Sequence, residues 1–306
     1  MAQEDKTGET NLGESTSILN LRLGRVSNRK RLDSDSTAIE TEVDRDALHI
    51  SKELFEAPEL QACYAYMSAL KAQVRAYSAP AKHLRGGMYM VKTAAIPAMR
   101  GILEKAKGEF APIVSEFANV VNLRRDEARV RLGPAFDAAD YPNKEQVLGA
   151  FSIEWDWLTL ATPSALKRIS QEFFDQEKEK AESSFKHAVK NIEGLLLADI
   201  KKMVDRVVDR LAPDATGKKK IFRDSLVTNA KEFVSTFTFR NVSDSIALDA
   251  EVARLAKLLD GADPELLRSN DKVREDIALG FKQVQLSLDS MMEAAPDRAF
   301  NLAELE

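Results

Sequence analysis

The stretch PSALKRISQEFFDQEKEKAESSFKHAVKNIEGLLLADIKKMVDRVVDRLAP, residues 163–213, decides the fold. No proline falls between Pro163 and Pro213, and only Gly194 interrupts the run. Apolar residues recur at Ile169, Phe173, Ala181, Phe185, Ala188, Ile192, Leu195, Leu196, Ile200, Met203, Val207 and Leu211. From Ala181 onward the steps are three and four residues, a coiled-coil-like seam. At 1.5 Å per residue the interval 164–212 would extend roughly 74 Å. The reading is therefore an elongated molecule with a spine helix over 163–212.

Working outward, the composition agrees with long helices. Of 306 residues 13 are glycine and 10 proline, both below the usual ~7% and ~5%, so there is little turn punctuation. After the Gly217–Lys220 turn, Phe222, Leu226, Val227, Phe233 and Val234 mark a returning helix, and Thr236–Asn241 reads as extended. Ile246, Leu248, Val252, Leu255 and Leu259 mark another helix, stopped by Gly261. Pro264 opens a last one with its stripe at Val273, Ile277, Phe281, Val284, Leu288 and Met291.

Toward the N-terminus, residues 1–17 read as a disordered polar tail. Residues 18–23 have strand character. A helical stripe follows through Ile39, Val43, Leu48, Ile50 and Leu54, then a helix from Pro58 to about Tyr77. Met88–Leu132 reads as one helix bent at Pro97 and Pro112. Residues 133–163 are an irregular middle with a short helix up to Phe151. Ile153, Trp155 and Trp157 alternate there with acids, a strand that could pair with residues 18–23. The expected fold class is thus all-α, mainly, an elongated helical bundle or coiled coil with one long central helix and at most a small two-stranded β element. It forms a single domain over 18–292, with helical hairpins in 219–292 and a flexible tail at 293–306.

The net charge of −5 conceals opposed blocks. Arg22, Arg25, Arg29, Lys30 and Arg31 stand in residues 22–31 without an acid, whereas residues 33–59 hold nine acids against Arg45 and Lys52. The basic segment is a candidate contact for phosphates or an acidic partner, weighed against an exposed linker neutralised by the acids that follow. Trp155 and Trp157 share one strand face and are candidate interface aromatics, weighed against a core anchor.

Catalytic signatures are missing. There is no GxxxxGK[ST], G-x-G-x-x-G, G-x-S-x-G or H-E-x-x-H motif. Cys63 with His49, His83 and His187 makes no four-ligand zinc set. No catalytic, cofactor or metal residue is assigned. The lone cysteine fits a reducing compartment. The longest run without Asp, Glu, Lys or Arg, Leu60–Leu70, has 11 residues, against the ~20 residues of a spanning helix. The acidic N-terminus is unlike a signal peptide. These features lead to an expected cytoplasmic location.

Leu132-Gly133-Pro134-Ala135-Phe136, Asp140-Tyr141-Pro142, Val147 and Phe151, followed by Phe222–Asn229 and the next helix, resemble an uncharacterised bacterial and tailed-phage family known as a domain of unknown function. The resemblance in order and spacing runs over residues 18–292. The family has no assigned catalytic residues. What the resemblance implies is company: members are often encoded beside a MoxR-like AAA+ ATPase and a von Willebrand A domain protein. The leading expectation is therefore a non-enzymatic adaptor or accessory of such an ATPase, in a bacterial or phage-infected cell. The alternatives are a nucleic-acid-associated protein acting through residues 22–31, and an amphipathic membrane-active protein.

Overall fold

The computed structural model describes residues 15–32, 50–80, 86–159, 164–213, 218–220 and 223–294. The expected helix over residues 36–49, most of both expected tails, His49 and His83 lie outside them. In chain order the elements are β1 (Thr16–Gly24), β2 (Arg29–Arg31), β3 (Ser51–Glu53), α1 (Pro58–Ala76), β4 (Met88–Lys92), α2 (Ile96–Leu132), α3 (Lys144–Ala150), β5 (Ser152–Leu158), α4 (Gln171–Leu211), α5 (Asp224–Arg240), α6 (Ile246–Asp260), α7 (Pro264–Ser269) and α8 (Asp271–Glu293). The protein is mostly helical.

Four local expectations are corrected. Met88–Lys92 is a strand, because Thr16–Asn20 offers it an antiparallel partner in the register Thr16 opposite Lys92. Ser51–Glu53 pairs with Arg29–Arg31 and is not the end of a helix. Thr236–Arg240 continues α5, where the Thr236 hydroxyl donates back to the Glu232 carbonyl at 3.0 Å. The last helix is two, since the Asn270 side chain accepts from the Val273 amide and starts α8 afresh. The β content accordingly exceeds a two-stranded element: one sheet has the order β4-β1-β5 and another joins β2 to β3.

The contacts group the chain into two compact units. The first comprises residues 1–20, 74–97 and 157–306, and the second residues 21–73 and 98–156. In the first, Ile192, Leu196, Ile200, Val204, Val207 and Leu211 of α4 are buried with Phe237 of α5, Leu255 of α6 and Phe281, Val284 and Leu288 of α8. The helix expected over 163–212 begins at Gln171 and not at Pro163; Ser170 caps it by accepting from the Phe173 amide. Its other end is held by Arg274. This buried guanidinium donates to the carbonyls of Leu211 (3.0 Å), Arg210 (2.8 Å), Lys220 (3.4 Å) and Leu267 (3.5 Å). A cation at a helix C-terminus both satisfies orphan carbonyls and complements the dipole.

The second unit is built on α1 against α2. Leu60, Met67 and Leu70 are buried, as are Leu103, Phe110, Phe117 and Val121. Aromatic rings meet edge to face, Phe55 on Phe117 at 5.3 Å and Phe55 on Tyr141 at 5.1 Å. Arg124 of α2 forks onto Glu59 at the start of α1, at 2.7 and 3.1 Å. That bond holds the Glu59 carboxyl below its usual range. Cys63 is fully buried and its thiol donates to the Ile113 carbonyl at 3.7 Å. Burial pushes its pKa up to about 11.

A buried ion pair closes the second unit. Lys52 of β3 reaches Asp140 at 2.7 Å, and the two side chains are only 5% and 8% exposed. The same ammonium donates to the Ala135 carbonyl at 2.7 Å, and exposed Lys30 approaches the other carboxylate oxygen at 3.2 Å. The hydrogen bond from Lys52, aided by Lys30, holds the Asp140 carboxyl below the usual carboxylate range.

Candidate functional site

A concavity lies in the first unit, along α4 and α5. It is an open groove of about 980 Å³ whose lining includes Lys202, Arg206, Arg210, Arg223, Asn229 and Met292. A smaller hollow of about 320 Å³ continues it past Phe233 and Arg240. The seam of α4 sets this geometry: Val204 and Val207 turn into the core, so Lys202, Arg206 and Arg210, spaced four apart, fall on the opposite, exposed face.

The charge of the groove follows from its pairing. Its three acids are each committed: Asp199 to Arg240 at 2.5 Å, Asp205 to Lys201 at 3.4 Å and to the Gln285 amide at 2.6 Å, and Asp209 to Lys220 at 2.5 Å. The Asp209 carboxyl is correspondingly held down by Lys220. Lys201 bonds Asp289 at 2.6 Å as well; burial works against its ammonium, but Asp289 and Asp205 outweigh this and raise its pKa. Lys202, Arg206 and Arg223 have no ion-pair partner among the described residues. The groove therefore presents three uncommitted cations beside an apolar floor of Leu226 and Met292.

The expected basic segment is dispersed within the second unit. Arg22 bonds Asp156 and lies 3.6 Å from Glu154. Arg25 stands over the Tyr64 ring at 5.9 Å, and Lys30 faces Asp140. Arg29 and Arg31 remain exposed on β2, with no ion pair among the described residues. Trp155 and Trp157 are both half-buried on β5, and Lys107 lies over the Trp155 ring at 5.9 Å. None of these seven residues lines the groove.

A reading by sequence alone takes the interleaved Asp205, Arg206, Asp209 and Arg210 for a solvent-laced helix face. Its missed signal was the four-residue spacing of Lys202, Arg206 and Arg210; what it could not supply was Arg223 arriving from the start of α5.

Among the described residues no group of three or more His, Cys, Asp or Glu side chains is placed to hold a metal ion, and no helix is long and apolar enough to cross a membrane. Comparison with protein-family models, curated proteins and solved structures finds no match to this chain.

Proposed function

We propose that this chain is a non-enzymatic helical adaptor whose α4–α5 groove docks an acidic segment of a protein partner. The observation that carries the reading is the commitment of every acid in the groove, which leaves Lys202, Arg206 and Arg223 free to meet carboxylates. Leu226 and Met292 offer apolar contact beside those charges, the mixed character of a transient protein interface. The resemblance noted above supplies the partner class, a MoxR-like AAA+ ATPase and its von Willebrand A domain companion. Co-purification of the three proteins with and without ATP tests this. Replacing Lys202, Arg206 and Arg223 by Glu should abolish the association, while Glu at Arg29 and Arg31 should leave it intact. Undiminished binding by the groove variant refutes the reading.

A second reading rests on Arg29 and Arg31, the exposed cations left on β2. Nucleic-acid binding through two phosphate contacts would carry a log–log salt slope of about −2. A gel shift that persists when both are neutralised removes that reading.

A further inference from the structure

The groove has one wall from which the chain itself departs. α8 runs antiparallel to α4: Arg274 holds the Leu211 carbonyl at one end, the Gln285 amide meets Asp205 at 2.6 Å, and Asp289 meets Lys201 at 2.6 Å toward the other. The last turn of α8 therefore ends beside the groove, and Met292 is part of its lining. The described residues stop at Ala294, two positions further on.

Residues 295–306, which follow, read Ala-Pro-Asp-Arg-Ala-Phe-Asn-Leu-Ala-Glu-Leu-Glu. They hold Asp297, Glu304 and Glu306 against Arg298 alone, with Phe300, Leu302 and Leu305 interspersed. Acids mixed with apolar side chains are the complement of a groove that offers Lys202, Arg206 and Arg223 beside Leu226 and Met292. Reach is ample. Lys202 and Arg210 are separated by a helical rise of about 12 Å, whereas a segment of this length spans up to about 40 Å when extended. Two other acid-bearing stretches outside the described residues, 1–14 and 33–49, join them at Ser15, Leu32 and Ile50, none of which lines the groove.

We infer that residues 295–306 occupy the α4–α5 groove of their own chain, their acids on its free cations, so that an acidic partner must displace them. This regulation rests on the acidic-ligand chemistry of the groove proposed above. Tethering is what favours the chain's own segment. A short linker holds a ligand at an effective concentration on the order of 1 mM. A segment whose free peptide binds with a Kd of about 0.1 mM then fills about nine grooves in ten and weakens a partner's apparent affinity about tenfold.

Two measurements on the full chain test this. With Asn229→Cys and Leu302→Cys, mild oxidation should give an intramolecular disulfide, identified by peptide mapping, while buried Cys63 stays out of the reaction. Reversing the groove (Lys202→Glu, Arg206→Glu and Arg223→Glu) or the segment (Asp297→Lys, Glu304→Lys and Glu306→Lys) should slow its formation about tenfold, and combining both sets should restore it. Separately, a fluorescein-labelled peptide of residues 295–306 should bind the segment-reversed chain about tenfold more tightly than the parent, whose groove is filled. A disulfide that forms equally in all four chains, or one that joins two chains, overturns the inference. So does a peptide that binds parent and segment-reversed chain alike, or binds neither. Co-purification with the ATPase is scored apart from these: a charge-dependent disulfide with no partner captured refutes the adaptor and leaves the self-occupied groove standing, and a captured partner without the disulfide does the reverse.

Discussion

Replacing Asp140 by Asn removes the counter-charge from Lys52 while keeping its shape. In the parent the Lys52 ammonium is 5% exposed and held by the Asp140 carboxylate at 2.7 Å and the Ala135 carbonyl at 2.7 Å. In the variant only neutral acceptors remain around a buried charge. Removing one partner of a buried pair costs about 3–5 kcal/mol. The retained Ala135 bond favours the lower end, and the lost contact with exposed Lys30 adds at most about 1 kcal/mol. A cost of about 3 kcal/mol is expected, moving a urea midpoint by about 1.5 M at a slope near 2 kcal/mol/M.

Trp155 belongs to the unit that contains the pair, so urea melts followed by fluorescence in a Trp157→Phe background isolate it. The pH dependence has a defined sign. The folded carboxyl titrates below its unfolded value, so the unfolded chain binds more protons as the pH falls. The stability contribution is complete at neutral pH, begins to fall near pH 4 as the unfolded carboxyl protonates, and is lost only below the depressed folded value, where Asp140 itself protonates. The Asn variant should lose that acid-dependent component. Lys52→Met with Asp140→Leu should be far milder than Asp140→Asn alone, since no unpaired charge remains. A single variant costing under about 1 kcal/mol, or a double variant as damaging as the single, would refute this account.

Other outcomes follow from individual contacts. Gly24→Ala places a Cβ 2.6 Å from the Ala150 carbonyl oxygen; because backbone cannot step aside as a side chain does, a loss of about 1–3 kcal/mol is expected in thermal melts. Gly280→Ala places a Cβ against the two terminal methyls of Leu258, the flexible end of a side chain that can rotate away, so with the helix-propensity gain of about 1 kcal/mol the melt should change little. Arg274→Met strands the buried carbonyls at the end of α4 and should cost about 3 kcal/mol, read by urea denaturation of the first unit. Cys63, with its pKa near 11, should resist iodoacetamide at pH 8 in the folded chain and react readily in urea; rapid native alkylation would contradict its burial.

What the sequence disclosed was periodicity sustained over length. The stripe from Ala181 to Leu211 marked the body of α4 and its end at Leu211, because many side chains repeat one signal, whereas the missing prolines placed its start at Pro163, eight residues before Gln171. Met88-Tyr89-Met90-Val91-Lys92 carried no such redundancy. Five apolar-rich residues fit either period, and the deciding partner, Thr16–Asn20, lies about seventy positions earlier. Thr-Phe-Thr-Phe at 236–239 misled in the opposite direction: its β-branched and aromatic composition suggests a strand, yet Phe237 completes the helical core. The groove was half visible. One helix's cation ladder can be counted along the chain, whereas the pairings that cancel Asp199 and Asp209 come from Arg240 and Lys220 and depend on packing. The lock between Lys52 and Asp140 joins residues 88 positions apart and leaves no local trace.

The four carbonyls gathered by Arg274 also bear on the order of folding. Three of those bonds span 54 to 64 residues of chain, so they require α8 to be seated before the end of α4 and Lys220 can be fixed. Interactions that pay so much loop closure before any return form late, beyond the rate-limiting barrier. The guanidinium then acts as a latch on the finished unit: its loss should accelerate unfolding and leave the refolding rate nearly unchanged, making this side chain a determinant of how long the helical unit stays closed.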